Sequence, residues 1–170
     1  QMRSQSAGGR QASEAFAYVS QVTPRDLNGD GYTDLVAANF GDMGMSSIYW
    51  GSEDGFSDED RQDLTTEGFA WDVLIEDFNG DGHDDILFSN HKDETGSFEA
   101  SSRIFWGGPS GYSDADTSEL STYAAAGLCA GDVDGDGYPD AVITQNEWFT
   151  GTETGEVATI YWGGSEGLSD

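Results

Sequence analysis

The sequence predicts an all-β fold built from three copies of one unit of about 55 residues. Three observations support this prediction. A nine-residue acidic turn motif occurs three times, a β-rich apolar run follows each copy, and Trp50, Trp106 and Trp162 come later at a constant interval of 56 residues. No segment shows sustained helical periodicity. A fixed interval of this kind indicates repeated supersecondary units.

The acidic turn motif has the spacing of a calcium loop. It reads DLNGDGYTD at 26–34, DFNGDGHDD at 77–85 and DVDGDGYPD at 132–140. Side-chain oxygens at positions 1, 3, 5 and 9 and the backbone carbonyl at position 7 can converge on one hard cation, because the Gly at position 6 permits a positive φ. The predicted ligands are Asp26, Asn28, Asp30, Tyr32 and Asp34 in the first loop; Asp77, Asn79, Asp81, His83 and Asp85 in the second; and Asp132, Asp134, Asp136, Tyr138 and Asp140 in the third.

An ordinary turn is the alternative interpretation of this motif, because Asp-Gly and Asn-Gly pairs form turns without a metal. Three copies in the same context favour the metal, since clustered carboxylates repel one another without a cation. We therefore predict three structural Ca²⁺ ions. The third loop should bind Ca²⁺ most tightly, because it has Asp134 where the others have Asn28 and Asn79.

Each unit contains further strand candidates in a constant order. An apolar segment precedes each loop, a β-rich run follows it, and a later strand ends in Trp-Gly. A weaker outer strand is predicted at 59–67 and 115–122. Four-stranded units of this length are typical of propeller blades. The predicted units are about 16–67, 68–122 and 123–170, within one propeller-like domain 1–170, and residues 1–15 form an N-terminal strand or assembly segment.

The metal loops and the Trp-Gly-Gly turns at 106–108 and 162–164 resemble the FG-GAP repeat, also called VCBS-type, of integrin α-subunit β-propellers. The resemblance covers nearly the whole chain. It implies a β-propeller fold, Ca²⁺ in the loop of each blade, and a role in adhesion or extracellular recognition. Propellers of this family usually close with about seven blades. Three blades therefore imply a fragment, assembly with further copies, or an open array.

The N-terminal segment is predicted to complete the last unit. RQASEAFAY at 10–18 can be aligned with RQDLTTEGFAW at 61–71, whereas the last unit stops at Asp170, where its outer strand should begin. The segment could add this strand within one chain or from a neighbouring subunit. We therefore expect a homo-oligomer or polymer formed by strand exchange.

The charge balance restricts the possible partners. The chain has 33 Asp and Glu residues against 6 Lys and Arg, a formal net charge of −27. Nucleic acids and anionic membranes are poor partners for such a chain, because both require a basic surface. No apolar stretch approaches the roughly 18 to 20 residues of a membrane-spanning helix. Calcium modules of this type are filled outside cells, which predicts a secreted or cell-surface protein.

Several other residues have competing interpretations. The repeating Trp50, Trp106 and Trp162 favour core between blades over a platform for sugars. Trp148 and Phe149 occur in one unit only and are the candidates for an exposed recognition contact, within the variable connections 91–102 and 147–158 that could bind a protein or glycan. Cys129 lies in an apolar run and is expected to be a buried structural thiol.

No catalytic group can be argued from the sequence. The two histidines, His83 and His91, form no Ser/His/Asp or Cys/His grouping, and the metal loops account for the carboxylate clusters. The leading hypothesis is a secreted, calcium-binding structural or adhesive module that self-associates and is not an enzyme. The alternatives are an accessory or partial domain of an extracellular carbohydrate-active enzyme, and a ligand-binding adhesin.

Overall fold

The computed structural model describes residues 19–41, 44–146 and 158–170. In these residues eleven strands form three antiparallel sheets, and the only helical element is a single 3-10 turn at Asp58–Asp60. Sheet 1 has the order β1 (Val19–Arg25), β2 (Asp34–Asn39), β3 (Met45–Tyr49) and β4 (Arg61–Thr65). Sheet 2 has the order β5 (Gly68–Glu76), β6 (Asp85–Asp93), β7 (Ser102–Phe105) and β8 (Thr117–Leu120). Sheet 3 has the order β9 (Ala125–Gly131), β10 (Asp140–Gln145) and β11 (Ala158–Tyr161).

The all-β prediction is confirmed, and so are the two weaker outer strands. β4 lies within the predicted segment 59–67, and β8 lies within 115–122. Sheet 3 differs from the other two, since it has three strands in the described part of the chain. The N-terminal segment 1–15, predicted to add the fourth strand, lies outside the described residues.

Each acidic loop joins the first two strands of its sheet. The residues that flank a loop are antiparallel partners, namely Arg25 with Asp34, Glu76 with Asp85, and Gly131 with Asp140. The last loop residue is therefore also the first residue of the second strand. A loop held in one conformation therefore fixes the register between the two strands that it joins.

The sheets stack through two hydrophobic cores. The first core lies between sheets 1 and 2 and includes Val36 and Ile48 from sheet 1 with Ile86 and Phe105 from sheet 2. The second lies between sheets 2 and 3 and includes Leu87 and Ile104 from sheet 2 with Ala141 and Tyr161 from sheet 3. Each of these pairs consists of cross-strand neighbours. Sheet 2 is thus covered on both faces.

The repeated tryptophans are not equivalent in their surroundings. Trp50 packs against the first core and Trp106 against the second, as expected for residues between blades. The same expectation is wrong for Trp162, which is 37% exposed. The outer face of sheet 3, to which the repeat assigns Trp162, has no further sheet against it in the described chain.

The burial predicted for Cys129 is also wrong, since its thiol is exposed. Cys129 is the cross-strand partner of Val142, and Val142 is the partner of Ile160. All three lie on the outer face of sheet 3, which explains how a cysteine in an apolar run can be solvent-accessible. In the described part of the chain, no helix has the length and apolar character needed to cross a membrane.

Candidate metal centre

The three acidic loops share one backbone conformation, which depends on two glycines. Gly29 and Gly31, at positions 4 and 6 of the first loop, have φ values of 70° and 90°. The corresponding glycines of the other loops, Gly80 and Gly82, then Gly135 and Gly137, are also in the positive region. Residues with a Cβ rarely adopt this conformation, so the loop requires glycine at both positions. The sequence analysis identified only position 6.

The aspartates at positions 1 and 5 organise the turn by accepting backbone N–H groups. In the first loop Gly31 donates to Asp26 Oδ2 at 3.1 Å, and Tyr32 donates to Asp30 Oδ1 at 2.8 Å. The second and third loops repeat both hydrogen bonds at distances between 2.8 and 3.1 Å. These side chains are therefore held at the turn by its own backbone.

The aspartate at position 9 has a different role from the other acids of the loop. Asp34, Asp85 and Asp140 are buried, with exposures of 0%, 0% and 1%. One carboxylate oxygen of each accepts the N–H of loop position 2, at 2.9, 3.0 and 2.7 Å. The other accepts the N–H of the glycine that follows the repeated Trp, at 2.7, 2.8 and 2.9 Å. The position-9 carboxylate thus joins the acidic loop to the Trp-Gly turn.

The glycine of the Trp-Gly turn is required by close approach. A Cβ added to Gly51, Gly107 or Gly163 would lie 2.2, 2.1 or 2.1 Å from the backbone oxygen at loop position 8. No side chain can occupy that space. Sequence reasoning missed this connection, although the constant co-occurrence of the position-9 Asp and the Trp-Gly dipeptide was a signal for it.

Burial and hydrogen bonding act in opposite directions on the position-9 acids. Burial raises the pKa of Asp85 to about 6, with smaller contributions from the nearby charges of Asp81 and Asp77, against the N–H groups of Gly107 and Phe78. The pKa of Asp140 is lowered, because the N–H groups of Gly163 and Val133 stabilise its charged form.

The third loop brings three carboxylates together. Oxygen atoms of Asp132, Asp134 and Asp136 all lie within 4.8 Å of one another, and the three residues are exposed. In the described residues this is the only such group of His, Cys, Asp or Glu side chains. The first two loops have an amide at position 3, and Asn28 Nδ2 donates to Asp30 Oδ2 at 3.0 Å instead.

The donor set of the loops fits Ca²⁺. All predicted ligands are oxygen atoms, which hard cations prefer, and the carboxylates at positions 1, 3 and 5 of the third loop share one small volume. Asp140 lies outside this group and its oxygens accept two backbone N–H bonds. Ligation by the position-9 aspartates and by the carbonyls of Tyr32, His83 and Tyr138 stays a prediction.

Two family models match the chain. The one described as an FG-GAP-like repeat matches residues 26–88, which include the first two loops, and the one described as an FG-GAP repeat matches residues 124–160, which include the third. This chain is an FG-GAP-type repeat protein. FG-GAP repeats form propeller-like modules that are typically adhesive or ligand-binding rather than enzymatic, and they are typical of extracellular and cell-surface proteins. None of the curated proteins compared with this FG-GAP-type protein matches it.

The predicted ligand segments of this FG-GAP-type protein are described only in part. Trp148 and Phe149 lie outside the described residues, as does most of the segment 147–158. The segment 91–102 borders a cleft of about 210 Å³, which is also lined by Thr66 and Glu67 of the β4–β5 connection and by residues of sheet 2. Arg103 reaches into it and donates to the carbonyl of Thr65 at 2.8 Å, with Glu67 and Glu119 within 3.5 Å of its guanidinium.

Proposed function

We propose that this FG-GAP-type repeat protein is an extracellular, calcium-stabilised structural or adhesive module that self-associates into a larger assembly. The carboxylate group of the third loop carries the calcium part of the proposal. Asp132, Asp134 and Asp136 place three negative charges within 4.8 Å, in a chain whose formal net charge is −27. Such a cluster favours a bound divalent cation over three solvated side chains.

In the described residues, no ion pair neutralises this cluster. The ion pairs in the described residues join Arg25 to Asp84, Arg61 to Asp63, and Arg103 to Glu67 and Glu119. None of these pairs involves a carboxylate at position 1, 3 or 5 of an acidic loop. A cation from solution is therefore the available source of neutralisation. Extracellular calcium modules typically bind with dissociation constants of roughly 0.1 to 1 mM, which suits secretion.

Calcium bound in a loop would stabilise more than the loop itself. The loop joins the first two strands of its sheet, and its position-9 carboxylate holds the Trp-Gly turn after the third strand. The cation, the loop and three strands therefore belong to one connected unit. Filling one site at ten times its dissociation constant would stabilise the fold by about 1.4 kcal/mol.

Thermal unfolding in 5 mM CaCl₂ and in EGTA tests the calcium proposal. We expect a higher melting temperature in calcium, and a smaller increase for the double variant Asp132→Asn, Asp136→Asn. Asp54→Asn is the matched control, because Asp54 is an exposed acid outside the loops. Equal melting temperatures for the wild type in calcium and in EGTA would refute a structural role for the metal. A response that Asp54→Asn also loses would indicate charge screening.

The open edge of sheet 3 supports self-association. Sheets 1 and 2 have an outer strand beyond the strand that precedes the repeated Trp, whereas no strand pairs with the outer edge of β11 in the described residues. An unpaired edge strand is a template for another strand. Residues 10–18 come directly before β1, just as 61–67, which contain the outer strand β4, come directly before β5. We therefore propose that residues 10–18 donate the added strand, either from a neighbouring subunit or within the same chain.

Light scattering of the full chain and of a variant lacking residues 1–15 tests strand exchange. We expect the full chain to be larger than a monomer in calcium and the shortened variant to be monomeric. A monomeric full chain would overturn self-association and leave the calcium proposal standing. An unchanged assembly of the shortened variant would overturn the N-terminal segment as the donor.

A ligand-binding adhesin is the second candidate, favoured by the cleft beside Arg103. Thr66 lines the cleft, is 1% exposed, and its Oγ1 has no hydrogen-bond partner in the described chain. Asp93, which also lines the cleft, has a lowered pKa, chiefly because the Thr95 hydroxyl donates to it. The cleft therefore resembles a polar recognition site more than an acid-base pair. Loss of glycan or peptide binding in Thr66→Val, at an unchanged melting temperature, would support this candidate.

A further inference from the structure

We propose that the outer face of sheet 3 binds the outer face of sheet 1 of a second copy of this chain, head to tail. This interface rests on the self-association in the proposed function and adds the surfaces that meet. Here the tail face is the side of sheet 3 turned away from sheet 2, and the head face is the side of sheet 1 turned away from sheet 2.

The two internal interfaces follow one rule. The first core contains the cross-strand pair Val36 and Ile48 from sheet 1 and the cross-strand pair Ile86 and Phe105 from sheet 2. In the second core, the pair Leu87 and Ile104 of sheet 2 contributes with the pair Ala141 and Tyr161 of sheet 3. Each sheet thus presents one set of positions to the following sheet and the alternate set to the preceding one.

The rule leaves one set of positions unused at each end. On sheet 3 the positions that face a following sheet are Val142 and Ile160, which are cross-strand partners and belong to neither core. On sheet 1 the positions that face a preceding sheet are Leu35 and Tyr49, also partners and also in neither core, although only 5% of Tyr49 is exposed. The pair on sheet 3 and the pair on sheet 1 therefore occupy the same repeat positions as the pairs that pack together in the two cores.

The exposed large hydrophobic residues lie on these two faces. In the described residues they are Tyr32, Phe56, Val133, Ile160 and Trp162, with exposures between 36% and 56%. Val133, Ile160 and Trp162 occupy tail-face positions of the repeat, and Tyr32 and Phe56 occupy head-face positions. Large exposed apolar side chains grouped on one face are a feature of interaction sites.

The repeat equivalents of the tail-face residues are covered. Ile48 and Ile104, at 56-residue spacing before Ile160, are both 0% exposed. Phe78, which holds loop position 2 as Val133 does, is also 0% exposed and lies in the second core. Leu27, at loop position 2 of the first repeat, is partly buried against the first core. These positions are therefore buried or half-buried wherever the described chain has a following sheet. On sheet 3 their exposure leaves an apolar surface of the kind that a following sheet covers elsewhere in the described chain.

The head-face residues likewise have covered equivalents. Phe56 is 49% exposed, while Tyr112, 56 residues later, is 8% exposed in the first core, and Leu168 packs against the second. Tyr138 holds the loop position of Tyr32 and packs on Gly80 of the preceding loop, since a Cβ there would lie 2.8 Å from its ring. In the described residues, no loop lies in the corresponding position against Tyr32, which is 41% exposed.

The internal contacts also predict how the faces fit. Trp106 packs on Gly167, because a Cβ on that glycine would lie 2.5 Å from the indole ring. Trp162 and Gly55 are the corresponding residues of the tail and head faces. At the interface between sheets 1 and 2, a Cβ on Gly111, the equivalent of Gly167, would meet nothing within 4 Å, so this contact belongs to the interface between sheets 2 and 3. On the pattern of that second interface, the indole of Trp162 should lie on Gly55 and beside Phe56 of the second copy. Different surfaces meet in such a contact, so it generates a ring or an open filament rather than a two-fold dimer.

Mixing two blocked variants tests this interface. Trp162→Glu blocks the tail face and keeps the head face, and Phe56→Glu does the reverse. Each variant alone should be monomeric in calcium by light scattering, with association weakened at least about 30-fold. Their equimolar mixture should form a heterodimer, because one intact head and one intact tail remain. Ala115→Glu is the control with the same added charge in the exposed turn before β8, and it should assemble as the wild type does.

The outcomes separate this interface from strand exchange and from misfolding. Assembly of Trp162→Glu at wild-type affinity would overturn the interface, even if the variant lacking residues 1–15 is monomeric. Blocked variants that stay monomeric when mixed would also overturn it, provided that each melts at the wild-type temperature. If a Glu variant misfolds, Trp162→Ala and Phe56→Ala replace the pair in the same mixing experiment. A monomeric wild type would overturn both this interface and the proposed self-association.

The single cysteine provides a readout on the unmodified chain. Cys129 is exposed and lies on the tail face beside Val142. Its reaction with a thiol reagent should be slowed at least about tenfold in the assembled wild type compared with Trp162→Glu. Equal reaction rates in an assembled wild type and in a monomeric variant would place the contact elsewhere and overturn the proposal.

Discussion

The backbone N–H of Gly107 donates to Oδ1 of Asp85 at 2.8 Å, across 22 residues of sequence. The same carboxylate accepts the N–H of Phe78 through Oδ2 at 3.0 Å. One buried side chain therefore closes the acidic loop and attaches the Trp-Gly turn to it. The first and third repeats contain the same arrangement around Asp34 and Asp140. This connection makes the loop and the turn one structural unit with or without a cation.

Gly107→Ala should destabilise the protein by about 1 to 3 kcal/mol, because the new methyl group would lie 2.1 Å from the backbone oxygen of Asp84. Urea unfolding in EGTA measures the loss without the metal. Gly108→Ala is the matched control, since a Cβ at Gly108 meets nothing within 4 Å. Similar stabilities for the two variants would show that the turn accommodates a side chain.

Asp85→Asn should destabilise the protein in EGTA by about 1 to 3 kcal/mol, because an amide can accept only one of the two N–H bonds and leaves a buried donor unpaired. Asp81→Asn should leave the stability in EGTA nearly unchanged, because Asp81 is exposed and an Asn oxygen can still accept the N–H of His83. Chemical unfolding of both variants with and without calcium checks the distinction. A loss for Asp85→Asn that appears only in calcium would make Asp85 purely a metal ligand.

The strands and the loops could be predicted from sequence because their determinants are local. Gly at positions 4 and 6 and the alternation of β-rich runs act over a few residues. The family assignment depends on the same local motifs, and the models match 26–88 and 124–160. The outer strands β4 and β8 were weak in sequence, since each buries little beyond Leu64 or Leu120.

The errors of the sequence analysis concern burial that depends on a neighbouring sheet. Trp162 has the same local sequence as Trp50 and Trp106, yet it is exposed because burial at this position is supplied by the next sheet. Cys129 is exposed for the same reason. The hydrogen bond from Gly107 to Asp85 was not predicted either, because no residue within the loop indicates that the Asp85 carboxylate accepts this distant N–H group.

The third loop should bind Ca²⁺ more tightly than the first two, and Asp134→Asn should remove the difference. Position 3 is Asp134 in the third loop and Asn28 or Asn79 in the others. A carboxylate attracts a divalent cation more strongly than an amide does, and affinity rises with ligand charge. Calorimetric titration should resolve one tight and two weaker sites in the wild type, and three similar sites in the variant.

Asn28→Asp is the reciprocal change and should convert the first loop into a second tight site. Its carboxylate would replace an amide that now donates to Asp30 at 3.0 Å. A wild type that binds three ions with one affinity, or an Asp134→Asn variant with unchanged tight binding, would contradict the dependence on position 3.

The stability of the protein should decrease as the pH falls below about 6.5, in part because of His91. His91 is 2% exposed and contacts the rings of Trp71 and Phe98, with centroid distances of 5.0 and 5.3 Å. Burial lowers its pKa, and the charge of Lys92 adds to the effect, against hydrogen bonding to backbone groups of Ala124 and Ala125. Below the pKa that His91 has in the unfolded chain, the unfolded state therefore binds a proton that the folded state does not. The stability contributed by neutral His91 is complete above that pKa, and it is lost as the pH falls through the lower pKa of the folded state.

Unfolding free energies at pH 7.5 and 5.5 for wild type and His91→Gln isolate this contribution. The difference between the two proteins should change by up to about 1.4 kcal/mol per pH unit in that interval. The comparison cancels Asp85, whose raised pKa of about 6 acts in the opposite direction and favours the fold at lower pH. A pH dependence that is the same in His91→Gln as in the wild type would show that His91 is protonated in the folded protein without cost.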